Sequence, residues 1–206
     1  MGQKFYRVCV GIIRPFYHIL FPPAVEGLEN IPDDGACLLC ANHLSNRDPV
    51  YLAVLVKKRG LHFMAKAELF RFKPLAALLR KLMAFPVDRG HSDLNAVRTA
   101  LKLLSDGHIL GLFPQGTRSR DNSRLPMLNG VSMIALRAQK PVIPVYIGGP
   151  YRLFRRTPVR IGKPVDLSEF GRRMDSETLT AATHRIEDAV WNLSGQGPDP
   201  IAAAQK

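Results

Sequence analysis

Beyond Pro22-Pro23 the chain alternates between short apolar runs and longer stretches with a helical repeat, and this alternation constrains the fold more than any other property. Strand-like segments fall at 36–41, 61–65, 83–87, 108–113, 142–147 and 157–163, and helix-like segments at 49–58, 74–82, 92–106, 130–138 and 176–193. Such an order predicts an α/β fold: a mostly parallel mixed sheet flanked by helices. The clearest helix is 92–106, with Ser92 placed to cap it, Leu94, Val97, Leu101 and Leu104 on one stripe, and Gly107 to stop it. Val142-Ile-Pro-Val145 reads as a core strand in which Pro144 imposes an edge or bulge position. No internal repeat or low-complexity tract interrupts the pattern. The expected organisation is an N-terminal interfacial helical segment over 1–23, one α/β domain over 24–194 and a flexible tail over 195–206.

The first segment is apolar but cannot span a bilayer, because Arg7, Arg14 and Pro15 interrupt it. Val8–Ile13 is also too short for the apolar core of a signal peptide. Counted from Lys4 at about 100° per residue, Arg7, Arg14 and His18 fall near 300°, 280° and 320°. Phe5, Val8, Ile12, Ile13, Phe16, Ile19 and Leu20 fill the other side. A broad apolar face with a basic edge suits a helix lying in a membrane interface; packing on the protein's own core is the alternative, and Pro15 is expected to kink or break the helix.

Charge narrows the partners. Lys and Arg number 29 against 17 Asp and Glu, a net charge of +12, which points to nucleic acid, an acidic membrane surface or phosphorylated small molecules. The clusters Lys57-Lys58-Arg59 and Arg152…Arg155-Arg156 prompt the first, but no aromatic RNA-binding motif accompanies them. Three cysteines cannot form a disulfide framework. Cys37-Leu-Leu-Cys40 has the spacing of a redox or zinc pair, yet on a strand those side chains point to opposite faces, so both are expected as buried small residues.

In parallel sheets, ligands bind beyond the carboxyl ends of the strands. Three loops there carry reactive residue types: Asn42-His-Leu-Ser-Asn-Arg-Asp48, Asp88-Arg89-Gly90 and Pro114-Gln-Gly-Thr-Arg-Ser119. Asp48 precedes Pro49 and an apolar helix, where an N-cap belongs; its carboxylate could turn back to one nitrogen of His43 and leave the other free to take a proton. Gly116 allows close approach to a ligand, Thr117 and Ser119 donate hydrogen bonds, and Arg118 offers a planar fork for phosphate. The Lys of a P-loop is missing after Gly116, and neither a dinucleotide fingerprint nor a nucleophile elbow is present.

Together these motifs resemble the 1-acylglycerol-3-phosphate acyltransferases of the wider glycerolipid acyltransferase family. Four blocks carry the likeness in order: Asn42-His43…Asp48, Phe85-Pro-Val-Asp-Arg89, Phe113-Pro-Gln-Gly-Thr-Arg-Ser119 and Val142-Ile-Pro-Val145. The lead-in Val25-Glu-Gly-Leu-Glu-Asn-Ile-Pro32 also looks like the family. The resemblance implies that His43, oriented by Asp48, is the general base on an acceptor hydroxyl that attacks an acyl thioester without an acyl-enzyme. It implies Arg89, Gly116, Thr117 and Arg118 at the acceptor phosphate, Gln115 and Asn42 positioning the acceptor, and Pro144 near the acyl donor. Acyl-CoA or acyl carrier protein would be co-substrate, a lysophosphatidate-like lipid the acceptor, and no metal, cofactor or nucleic acid is implied. The expected location is the cytoplasmic face of the cell membrane, peripheral or monotopic, on an anionic surface. Two positions depart from the pattern: Gln115 replaces the family's Glu, and Met127-Leu-Asn-Gly130 replaces Phe-Lys-x-Gly. Both bear on which acceptor is used, with glycerol-3-phosphate, other lysophospholipids and aminolipids as alternatives.

Overall fold

The computed structural model describes residues 2–56, 59–88, 93–119 and 121–195. Its strands are β1 (Pro23–Glu26), β2 (Cys37–Ala41), β3 (Leu61–Lys66), β4 (Ala84–Val87), β5 (Ile109–Leu112), β6 (Val142–Ile147) and β7 (Thr157–Ile161). Its helices are α1 (Gly2–Leu20), α2 (Asp48–Leu55), α3 (Lys73–Lys81), α4 (Leu94–Ser105), α5 (Gly130–Ala138) and α6 (Ser176–Asn192). The expected α/β architecture is present. The seven strands form one sheet in the order β1-β7-β6-β2-β5-β3-β4. Strands β6, β2, β5, β3 and β4 run parallel, β7 is antiparallel to β6, and β1 joins β7 in parallel.

Two apolar layers cover the sheet. Cys37, Leu39 and Ala41 of β2 face the layer holding α1 and α2, while Leu38 and Cys40 face the layer holding α4, α5 and α6. The two thiols thus lie on opposite faces, free and buried, and burial raises the Cys37 pKa to about 11. Neither metal binding nor a disulfide is open to that pair.

Three expectations need correction. Pro144 lies in an interior strand, not at an edge or bulge. Its carbonyl accepts Gly162 N–H at 2.9 Å, so its ring nitrogen faces the β7 side at the last step of the β6–β7 ladder, and the one bond it cannot donate falls at that ladder's end. The cap of α4 is Asp93, whose carboxylate accepts from Asn95 and Ala96 N–H; Ser92 lies outside the described residues. Pro15 does not break α1, which runs through it as one helix. Pro15 and Gly11, whose carbonyl loses its partner, are both exposed, so water can satisfy that group.

The core-packing alternative posed for α1 holds for one sector of it, and another sector is left exposed. Tyr6, Val10, Tyr17 and Leu20 pack on the core, and the Tyr6 hydroxyl accepts Leu61 N–H at 3.3 Å. Val8, Ile12, Phe16 and Ile19 form a separate stripe, each 60–63% exposed. Among the described residues no helix is long and apolar enough to cross a membrane.

Candidate active site

Chain connectivity places a crevice between β2 and β5. The chain leaves β2 through α2 on one face of the sheet and leaves β5 through α5 on the other, so the connections diverge at these neighbouring strands. Such a switch point opens a cleft at the strands' carboxyl ends. The two loops bordering it are 42–48 and 113–119.

His43 leaves the end of β2 with its side chain 11% exposed. Its Nδ1 lies 2.7 Å from Asp48 Oδ2. The fully buried Asp48 carboxylate does not cap α2. It turns back on the loop, where Oδ2 also accepts Leu44 N–H at 2.6 Å and Ser45 N–H at 2.8 Å, and Oδ1 accepts the Tyr151 hydroxyl at 2.8 Å. Asp48 is the first residue of α2 rather than its N-cap. A buried carboxylate holding these donors fixes the imidazole tautomer, with Nδ1 protonated and Nε2 free to accept. No group among the described residues hydrogen-bonds Nε2.

The ring is also held from its face. Phe113 stacks on His43 at 4.3 Å between centroids, and Phe63 stacks on Phe113 at 5.9 Å. Gly111 makes room for this column: a Cβ there would meet Phe63 Cε1 at 2.4 Å. Burial, and then the charge of Asp48, push the Tyr151 phenol far above its usual range, so it stays a donor at any working pH.

The 113–119 loop grips the backbone of His43. Gln115 Oε1 accepts His43 N–H at 2.7 Å, and Ser119 N–H donates to the His43 carbonyl at 2.8 Å. Gly116 turns the loop at φ 67°, a conformation that disfavours any side chain. Thr117 and Arg118 are exposed at the rim, and Arg118 Nη1 donates to Asn46 at 2.9 Å, spanning the mouth between the loops. Asn42 faces away from the mouth. Its amide exchanges two hydrogen bonds with the backbone of Ile147, at 2.9 and 2.7 Å, and so joins the ends of β2 and β6.

His43, Asp48, Gln115, Gly116, Thr117 and Arg118 are therefore brought together. Pro144 stands opposite Cys40 in the β2–β6 register, three residues short of His43 along that strand. Arg89 lies outside the described residues. Tyr151, Phe113 and Phe63 were not anticipated as site residues. Phe113 opens the third block, which was a usable signal, whereas Tyr151 reaches Asp48 from 103 residues away with no local pattern to mark it.

A dyad with one free imidazole nitrogen, beside a glycine turn and an exposed guanidinium, can deprotonate a hydroxyl on an anionic substrate. Comparison with known proteins agrees. Residues 23–148 match the Acyltransferase family model. A 1-acyl-sn-glycerol-3-phosphate acyltransferase of Bacillus subtilis (strain 168) is 30% identical over 196 residues, covering 93% of this chain and 98% of its own length. One from Streptococcus pneumoniae is 30% identical over 173 residues, covering 80% of this chain and 63% of its own length. The crystal structure of the 1-acyl-sn-glycerophosphate (LPA) acyltransferase PlsC from Thermotoga maritima superposes with a TM-score of 0.65 at 26% identity, covering 95% of this chain and 81% of that one. This chain belongs to the acyltransferase family and is an O-acyltransferase.

Proposed function

We propose that this enzyme moves a fatty acyl group from acyl-CoA or acyl carrier protein to the sn-2 hydroxyl of lysophosphatidate, giving phosphatidate for phospholipid synthesis. The observation that carries the chemistry is the buried His43–Asp48 pair, 2.7 Å apart, at the switch point. Nε2 of His43 takes the hydroxyl proton while Asp48 stabilises the imidazolium. The alkoxide oxygen bonds to the thioester carbonyl carbon, the carbonyl re-forms as the carbon–sulfur bond breaks, and the thiolate takes the proton back from His43. No nucleophilic side chain is required; among the described residues, the other groups that hydrogen-bond the side chains of this His–Asp pair are loop amides and Tyr151.

Arg118, Thr117 and Gly116 hold the acceptor phosphate at the rim, with Arg89 assigned there from its block alone. The direction of Gln115 favours an unchanged acceptor. Its side chain is buried against the His43 backbone, so Gln in place of Glu keeps the needed acceptor oxygen and bears on the loop rather than the headgroup. The exposed α1 stripe, with Lys4 at its edge, rests on an anionic membrane surface, which we place at the cytoplasmic face.

In a purified assay, His43→Ala should lower kcat by about a thousandfold or more with the melting temperature retained. Wild-type turnover in that variant would remove the general-base role. A panel of lyso-acceptors crossed with both donors, scored by product mass, identifies the substrates, and faster turnover of an uncharged acceptor would overturn the phosphate site. Deleting α1 is not a fair test of membrane binding, because Tyr6, Val10 and Tyr17 belong to the core; Val8→Ser/Ile12→Ser/Phe16→Ser alters only exposed positions.

A further inference from the structure

The β6–β7 connection carries Tyr151-Arg-Leu-Phe-Arg-Arg156 at the carboxyl end of β6, the same end of the sheet as His43. Tyr151 points inward to Asp48, and the next five residues are all exposed. Leu153 is 59% and Phe154 67% exposed, an apolar pair standing between Arg152 on one side and Arg155 and Arg156 on the other. Phe154 holds φ 60°, a region that bulky side chains rarely adopt. Its N–H donates to the Leu20 carbonyl at 2.7 Å, so the pair sits against the end of α1 that carries exposed Phe16 and Ile19. No Asp or Glu occurs between Asp121 and Asp166, so nothing nearby in sequence offsets the three arginines.

We infer that this loop is a second membrane contact: Leu153 and Phe154 enter an anionic bilayer while Arg152, Arg155 and Arg156 meet lipid phosphates, seating the mouth of the active site on the surface. Two apolar side chains inside a ring of arginines suit an interface that is apolar within and anionic at its border. An acidic protein would satisfy the arginines but gives no comparable home to the exposed apolar pair between them. The loop is tied to Asp48 through Tyr151 and to α1 through Phe154, so its insertion fixes the orientation of the catalytic end and not merely attachment. This deepens the membrane reading made for α1 and is tested apart from it.

The test uses the full chain and vesicles of phosphatidylglycerol mixed with phosphatidylcholine, against phosphatidylcholine alone. Leu153→Ser/Phe154→Ser should weaken co-sedimentation with the anionic vesicles at least tenfold, and Arg152→Gln/Arg155→Gln/Arg156→Gln should abolish the anionic preference. Both should turn over a short-chain, micelle-free lysophosphatidate with acyl-CoA within twofold of wild type, which shows that the fold and the dyad are intact. A Phe154→Trp variant should be quenched by lipids brominated on the acyl chains, with the lone Trp191 of wild type as baseline. Unchanged vesicle affinity together with no quenching overturns the inference. So does retained vesicle binding with slower turnover confined to acyl carrier protein as donor, which would make the loop a protein-docking surface. Loss of binding in the loop variants but not in Val8→Ser/Ile12→Ser/Phe16→Ser upholds the loop and removes the α1 contact; the converse result removes the loop.

Discussion

Replacing Tyr151 by Phe tests whether the second oxygen of Asp48 matters to catalysis or only to stability. Asp48 is fully buried, with three donors on Oδ2 and Tyr151 as the donor on Oδ1. Tyr151→Phe keeps the ring, which packs edge-on against Phe21 and Tyr51, and removes only the hydroxyl. A hydrogen bond to a charged group is worth about 1.5–3 kcal/mol, so the fold should lose roughly 2 kcal/mol, or about 4–8 °C in melting temperature. The catalytic effect is separate: with Oδ1 left without its donor, the carboxylate holds the His43 ring less firmly. The kcat should fall about three- to tenfold from looser orientation of the ring. The acceptor KM should change less than twofold, because Arg118 is untouched. Asp48→Asn, which removes the charge itself, should cost about a thousandfold in kcat. A Tyr151→Phe enzyme with lowered melting temperature but full kcat would refute the reasoning and leave Tyr151 a packing residue.

Other parts of the structure give further expectations. Gly111→Ala places a methyl group against Phe63 and should cost about 1–3 kcal/mol and lower kcat; adding Phe63→Leu should restore stability in a double-mutant cycle. His62 is held down to about 4 by burial and then by His108, whose ring lies 5.0 Å away. The folded state therefore binds fewer protons than the unfolded one, and stability present above about pH 6.5 is lost as pH falls toward 4. Allowing for partial exposure, that loss is about 1–2 kcal/mol, and urea melts of His62→Gln at pH 7 and 4.5 should show it reduced. Arg124 pairs with the buried Glu187 at 2.7 Å, and Glu187 also accepts Met127 N–H at 3.0 Å, which ties the segment after the 113–119 loop to α6. Arg124→Ala should lower the melting temperature by roughly 2–6 °C, less than for a fully buried pair because the guanidinium is half-exposed.

Periodicity located six of the seven strands and all five helices expected beyond the N-terminal segment, each within a few residues of its observed bounds. Those elements bury their own apolar pattern, so local sequence suffices. β1 escaped because Pro23-Ala-Val-Glu26 is too short to show a repeat, and it is a strand only through pairing with β7, more than 130 residues away. The reversal of β7 was equally hidden, since strand direction depends on the path of a connecting loop. At the site, His43 and Asp48 were readable because they lie five residues apart in one loop. Tyr151 and Phe63 were not, since their contacts with that centre are made only by the folded sheet. Asn42 and Gln115 show a further limit: an amide near a strand end announces hydrogen bonding, but not that the backbone of Ile147 or His43 is among its partners.

The N-terminal helix carries more apolar surface than one core contact can cover. Its apolar residues, from Val8 near 40° to Val10 near 240°, cover an arc of about 200°. A helix lying on a sheet buries a stripe only a little wider than about 100°, so an arc of that width exceeds what one core contact can cover. The structure divides it accordingly: Tyr6, Val10, Tyr17 and Leu20 inward, Val8, Ile12, Phe16 and Ile19 outward. The outward half is not required by the core, and it continues at the Leu20 end into Leu153 and Phe154. Lys4, near 0°, borders the outward stripe of α1, and Arg152, Arg155 and Arg156 flank the apolar pair of the loop. These four cations are set beside apolar surface that the fold leaves uncovered, an arrangement that suits an anionic lipid surface better than nucleic acid.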